Sequence, residues 1–86
     1  MTVAENIEDI LSRELNNSHV EMKLDTQTGK VAGRVIWAGF EGFTPERRQN
    51  HVFGHLRRGL TREEAHMVTQ ISTVTPGELE VAAAPL

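Results

Sequence analysis

The sequence predicts a single α+β domain in which helices cover one face of a three-stranded sheet. Apolar residues recur at helical spacing in two segments, and they alternate with polar residues in three others. The chain has 86 residues, which leaves room for only one hydrophobic core. The predicted order is helix, strand, strand, helix, short helix, strand, and such elements pack as layers around a common core.

The first helix is predicted over residues 3–15. Thr2 and Glu5 have the Thr-x-x-Glu pattern of a capping box, in which two amide groups of the first turn gain side-chain acceptors. The apolar positions of this helix are Val3, Ile7, Ile10, Leu11 and Leu15.

Two strands are predicted at residues 20–24 and 31–37, where apolar and polar residues alternate. The turn at residues 25–30 joins them as a hairpin. Trp37 in the second strand and Phe53 in the following helix are both expected to be buried in the core.

A second helix is predicted to begin after Thr44, whose hydroxyl is suited to the N-cap, with Pro45 at the first helical position. Gly59 is expected as the C′ residue that ends this helix. A second capping box, at residues 61–64, predicts a short third helix that ends near His66.

A third strand is predicted from residue 67 to residue 74, because apolar residues alternate again in a segment rich in Thr and Val. Residues 75–77 are predicted to stop it. The domain is therefore expected to span residues 1–79, followed by a flexible C-terminal tail at residues 80–86.

Composition excludes several classes of function. The chain has no cysteine, so it forms no disulfide and provides no thiolate to a metal. A formal charge of −3 and a pI of 5.7 argue against a general nucleic-acid binder. No stretch approaches the roughly 18 apolar residues of a membrane span, and the acidic start does not resemble a signal peptide. We expect a cytoplasmic protein, monomeric or weakly dimeric, with no membrane partner.

The histidines are the strongest candidate metal ligands in a chain without cysteine. His51 and His55 are four residues apart, a spacing that lets two imidazoles share one ion. The residue after the first is Val52, so the Glu that serves as base in zinc peptidases is missing. His66 precedes the third strand at a junction expected to be exposed and fixed, where an imidazole can ligate a metal held mainly by another molecule. Solvated helix histidines, or for His66 an interaction with the helix dipole, are the alternatives.

Four arginines of the second helix form a candidate docking surface: Arg47, Arg48, Arg57 and Arg58. Arginine makes bidentate contacts with carboxylates, so these residues are suited to an acidic partner surface. The same arginines would contact phosphate if the helix–turn–helix outline of residues 44–66 bound nucleic acid. A solvated helix face is the third interpretation.

Several features from residue 40 onward occur in an order that is typical of a known family. They are Phe40-Glu-Gly42 with Thr44 at a helix start, the run Arg47-Arg-Gln-Asn-His-Val-Phe-Gly-His-Leu56, His66, and Thr75-Pro-Gly-Glu-Leu79 after the last strand. In this order and near this spacing they resemble the BolA family, specifically its acid-stress, IbaG-like branch.

The resemblance implies a fold similar to class II KH domains and a non-enzymatic adapter role in iron–sulfur trafficking or stress response. It implies a monothiol glutaredoxin as partner and a shared [2Fe–2S] cluster, with thiolates from the partner and from glutathione. The family's cluster-binding histidine corresponds to His66. Its second ligand, a His or Cys between the first two strands, has no counterpart in residues 25–30. The alternative function is a nucleic-acid-binding transcriptional regulator that uses the KH-like or helix–turn–helix surface.

Overall fold

The structure, a computed structural model, describes the backbone of residues 2–83 and the side chains of residues 2–80. It contains the predicted elements in the predicted order, followed by one additional helix. None of the helices within the described residues is long and apolar enough to cross a membrane. The elements are α1 (Val3–Glu14), β1 (His19–Leu24), β2 (Val31–Ile36), a 3-10 turn (Ala38–Phe40), α2 (Pro45–Gly59), α3 (Arg62–Met67), β3 (Val68–Val74) and α4 (Pro76–Ala83).

The sheet has the order β1-β2-β3 and is mixed. The hairpin strands β1 and β2 are antiparallel, whereas β2 and β3 are parallel, and α2 and α3 provide the crossover that a parallel pair needs. Gly33 of the central strand lies opposite Met22. A Cβ atom at this position would collide with the backbone carbonyl oxygen of Glu21 and lie 2.6 Å from the Met22 sulfur, so the glycine lets β1 lie close to β2 here.

The core lies between one face of the sheet and the helices α1 and α2, which confirms the predicted α+β layers. Phe40 is its largest fully buried side chain. The other buried hydrophobic residues are Ala4, Ile7, Ile10, Leu11, Leu15, Met22, Val31, Val35, Val52, Leu56 and Ile71. Trp37 and Phe53, which were expected to be buried, are only half-buried and pack against the core from its edge. Trp37 stays near the surface because it follows the last residue of β2 and its Nε1–H donates to the Asn16 carbonyl over 3.0 Å.

The predicted helix starts are confirmed by their hydrogen bonds. Capping boxes are present at Thr2 and Thr61, and the hydroxyl of Thr44 accepts from the amide of Arg47. The predicted role of Gly59 is wrong: it is the last residue of α2, and the C-cap is Leu60.

Gly59 lies instead where α2 packs against the Ile10 side chain of α1. A Cβ atom there would lie 2.6 Å from Ile10 Cδ1 and 3.1 Å from Ile10 Cγ1. The absence of a side chain therefore lets α2 approach α1.

The predicted stop at residues 75–77 is correct, because β3 ends at Val74, but the same residues also begin an unpredicted helix, α4, at Pro76. The Glu78 amide donates to Thr75 Oγ1 over 3.1 Å, and the Thr75 amide donates to Glu78 Oε1 over 2.9 Å. These two bonds form a third capping box, with proline at the favourable first position. The helix extends into the predicted tail at residues 80–86, of which residues 84–86 lie outside the described part. The flexibility of the tail at residues 80–86 stays a prediction.

Candidate functional site

His66 lies in the last turn of α3, and its side chain is exposed. The short helix is held in place at its start, where the Glu64 carboxylate accepts from the amide of Thr61 over 2.9 Å and from Asn6 of α1 over 3.4 Å. The backbone hydrogen bond from Thr61 is the largest cause of a lowered pKa for Glu64. Among the described residues, none forms a hydrogen bond or an ion pair with the His66 ring. Its imidazole is therefore presented to solvent from a fixed backbone.

The loop between β1 and β2 lies at the same end of the sheet as His66. Val31, the first residue of β2, pairs with Val68, two residues after His66. The loop contains neither His nor Cys, and within the described residues no three His, Asp or Glu side chains form a group that could hold a metal ion. A metal ion bound by His66 would therefore need ligands from outside the described part of this chain.

Arg48 has an internal role that the sequence did not predict. Its side chain is only 11% exposed, and its guanidinium donates to both carboxylate oxygens of Glu78, over 2.6 and 3.1 Å. It also donates to the carbonyls of Phe43 and Thr73, each over 3.3 Å. The Arg48 hydrogen bonds are the largest cause that lowers the pKa of Glu78 to about 2. Arg48 thus joins α2, β3 and α4. Because its guanidinium is held by these internal partners, it is not available to bind another molecule.

Arg47 and Arg58 lie on a second side of α2, beside a cluster of aromatic rings. The Arg47 guanidinium carbon is 4.2 Å from the centre of the Phe43 ring, a cation–π contact. Arg58 donates to His55 Nδ1 over 2.8 Å. Glu14 of α1 lies 3.8 Å from the same Nδ1 atom, so this side of α2 faces the end of α1.

The two histidines of α2 pack against each other and against Trp37. The rings of His51 and His55 are perpendicular with centroids 4.9 Å apart, and His51 stacks on Trp37 at 5.6 Å with an interplanar angle of 9°. Burial lowers the pKa of His51, and the nearby His55, Arg47 and Arg58 lower it further. Within the described residues, the pair forms no group of three potential metal ligands with an Asp, Glu or further His side chain.

Arg57 lies on a third side of α2, toward α3. It is exposed and borders a small notch that is otherwise apolar. The notch is lined by Phe53, Leu56, Leu60, Ala65 and Val68. The four predicted docking arginines therefore do not form a single surface, because successive helical residues point about 100° apart.

The architecture is that of a BolA-like fold. The supporting comparison is with a solved structure, BolA1 from Arabidopsis thaliana: the TM-score is 0.70, the sequence identity is 19%, and 99% of each chain is covered. No family model matches the sequence, and no curated protein matches it. A likeness at this identity shows the fold, and the assignment to the acid-stress branch stays a prediction.

Proposed function

We propose that this protein is a non-enzymatic BolA-type adapter that docks a monothiol glutaredoxin and contributes His66 to a shared [2Fe–2S] cluster. The observation that carries the proposal is the exposed His66 imidazole at a fixed helix–strand junction of a BolA-like fold. An imidazole buried in the core could not have reached a metal held by another protein.

The chemistry of the chain agrees with a shared site. A protein without cysteine needs thiolates from its partner and from glutathione to complete the coordination of a cluster. Replacing a thiolate by an imidazole on one iron raises the reduction potential of the cluster. Ligation needs the neutral imidazole, so cluster sharing should weaken in acid, as suits a sensor or a transfer partner.

The test is to mix the purified protein with a cluster-loaded monothiol glutaredoxin and to record the visible circular dichroism spectrum. We expect a changed spectrum and a complex of larger size on gel filtration. His66→Ala should remove the spectral change. His19→Ala is the matched control, because His19 is also exposed but lies on β1, where its ring contacts Glu21. An unchanged wild-type spectrum without a complex would reject the proposal.

A second candidate is a nucleic-acid-binding regulator, which the position of Arg47 and Arg58 on one side of α2 favours. Cations placed along one helix can contact successive phosphates, although the net charge of −3 opposes this function. Binding of a DNA duplex should then weaken steeply with salt. Replacing both arginines by alanine should reduce the slope of log K against log salt by about two.

A further inference from the structure

The Nδ1 atom of His55 lies between a cation and an anion that need it in opposite protonation states. Arg58, three residues further along α2, places a guanidinium nitrogen 2.8 Å from this atom, and Glu14 of α1 places a carboxylate oxygen 3.8 Å from it. A guanidinium only donates, so it binds Nδ1 when this atom carries no proton. An ionised carboxylate only accepts, so it binds Nδ1 when this atom carries one. The proton on Nδ1 therefore decides which neighbour the ring binds.

The ring of His55 is enclosed, whereas its two charged neighbours are free to move. The His55 side chain is only 14% exposed, and the His51 ring packs perpendicular to it with centroids 4.9 Å apart. Glu14 is the last residue of α1 with its side chain 56% exposed, and Arg58 is exposed as well. A shift of about 1 Å brings the carboxylate to hydrogen-bond distance from Nδ1. The partners can therefore exchange while the ring stays in place.

The other titratable and charged groups around this pair of rings direct the first proton to His55. Arg47 lies one turn before His51 on the same side of α2, so both ends of the pair face an arginine. Burial lowers the pKa of His51, and the positive charges nearby lower it further. Within the described residues, a carboxylate contacts His55, that of Glu14, and none contacts His51. A nearby anion favours the charged ring, so His55 takes up the first proton.

We propose that His55 is a proton-operated switch: the neutral ring holds the Arg58 guanidinium, and the protonated ring releases Arg58 and pairs with Glu14. The proton comes from solvent and binds at Nδ1, and only hydrogen bonds are exchanged. Imidazole is suited to this role because it changes charge between about pH 5 and 8. Release leaves a free guanidinium on the side of α2 that also carries Arg47, so acid adds an available cation there. The switch does not depend on the cluster proposed for His66.

The test is a pair of double-mutant cycles in which the unfolding equilibrium constant is measured in urea at pH 7.5 and at pH 5. Glu14→Gln and Arg58→Gln are each combined with His55→Leu, which removes both ring nitrogens. The coupling of His55 with Arg58 should favour folding at pH 7.5 and be lost at pH 5, whereas the coupling with Glu14 should appear only at pH 5. Each change should be about threefold in the equilibrium constant. The Asp9–Arg13 ion pair is the control, because it contains no histidine and should keep the same coupling at both pH values.

Nitrogen NMR of the wild-type ring keeps the test decisive if His55→Leu does not fold. Nδ1 of His55 should carry no proton at pH 7.5, and both ring nitrogens should carry one at pH 5. Couplings that are equal at the two pH values would overturn the switch, as would a proton on Nδ1 at pH 7.5. Loss of the Arg58 coupling at pH 5 without a gain of coupling to Glu14 would also overturn it, because the ring would then exchange no partner.

Discussion

Arg48→Met tests whether the buried guanidinium holds α2, β3 and α4 together. Methionine keeps an apolar stem of similar length but leaves the carbonyls of Phe43 and Thr73 without their donor. Each such bond to a charged donor contributes about 1–1.5 kcal/mol at these long distances, so the two together give about 2–3 kcal/mol. The ion pair with Glu78 is left out of this figure because that carboxylate is exposed to solvent. Each kcal/mol lowers the melting temperature of a domain this size by about 4–8 °C, so a fall of about 10 °C or more is expected.

Thermal unfolding followed by far-UV circular dichroism measures this change, and Arg47→Met provides the control. Arg47 is the adjacent residue of α2, but it is exposed and its guanidinium lies on the Phe43 ring, so its replacement should cost less than about 1 kcal/mol. Melting temperatures that agree within about 2 °C for the two variants would refute the assigned role of Arg48.

Three further predictions concern Glu78, Gly54 and His51. Acid should destabilise the wild type more than the Glu78→Gln variant. The pKa of Glu78 is about 2 in the folded protein against an ordinary value of 4.5, so the ionised carboxylate stabilises the fold fully above about pH 4.5 and this stabilisation is lost as the pH falls toward 2. Melting curves at pH 7 and pH 2.5 compare the two proteins. Gly54→Ala should raise the free energy of unfolding by about 0.5–1 kcal/mol, because a methyl group there meets no atom within 4 Å. Gly59→Ala should give no such gain, because a methyl group there would press on Ile10. Urea unfolding measures both variants. Fluorescence of Trp37 should titrate with His51 at a midpoint below 6.5, since burial lowers the pKa of that imidazole, and His51→Gln should abolish the titration.

Local signals in the sequence were sufficient for most of the fold. Hydroxyl caps and alternating apolar residues placed the first three helices and all three strands within a few residues. The fourth helix was missed although Thr75 and Glu78 have the same Thr-x-x-Glu pattern as the two capping boxes that were predicted. The Pro76-Gly77 pair was interpreted as a stop signal, but proline is favourable at the first position of a helix, which makes the segment a start signal as well.

The candidate site was less predictable because side-chain environment depends on distant segments. The exposure of His66 was expected from its place between a capped helix and a strand. Helical geometry could have predicted that Arg57 and Arg58 lie on different sides of α2, since the side chains of consecutive helical residues point about 100° apart around the helix axis. The burial of Arg48, in contrast, depends on Glu78, which is 30 residues away in the chain and belongs to a helix that the sequence analysis did not predict.

The edges of the sheet explain why docking is expected on the helices. The Val74 carbonyl accepts from Trp37 at the end of β2, so the alternate carbonyls of Ile71 and Thr73 face away from β2. Side chains of α2 occupy both carbonyls: Gln49 donates to that of Ile71 over 2.8 Å, and Arg48 donates to that of Thr73 over 3.3 Å. At the opposite edge, the Met22 amide donates to the Glu8 carboxylate of α1 over 3.1 Å. Side chains therefore occupy backbone groups that an added strand would need, which disfavours strand pairing with a partner. A protein partner would therefore recognise side chains on the helices and not a free strand edge.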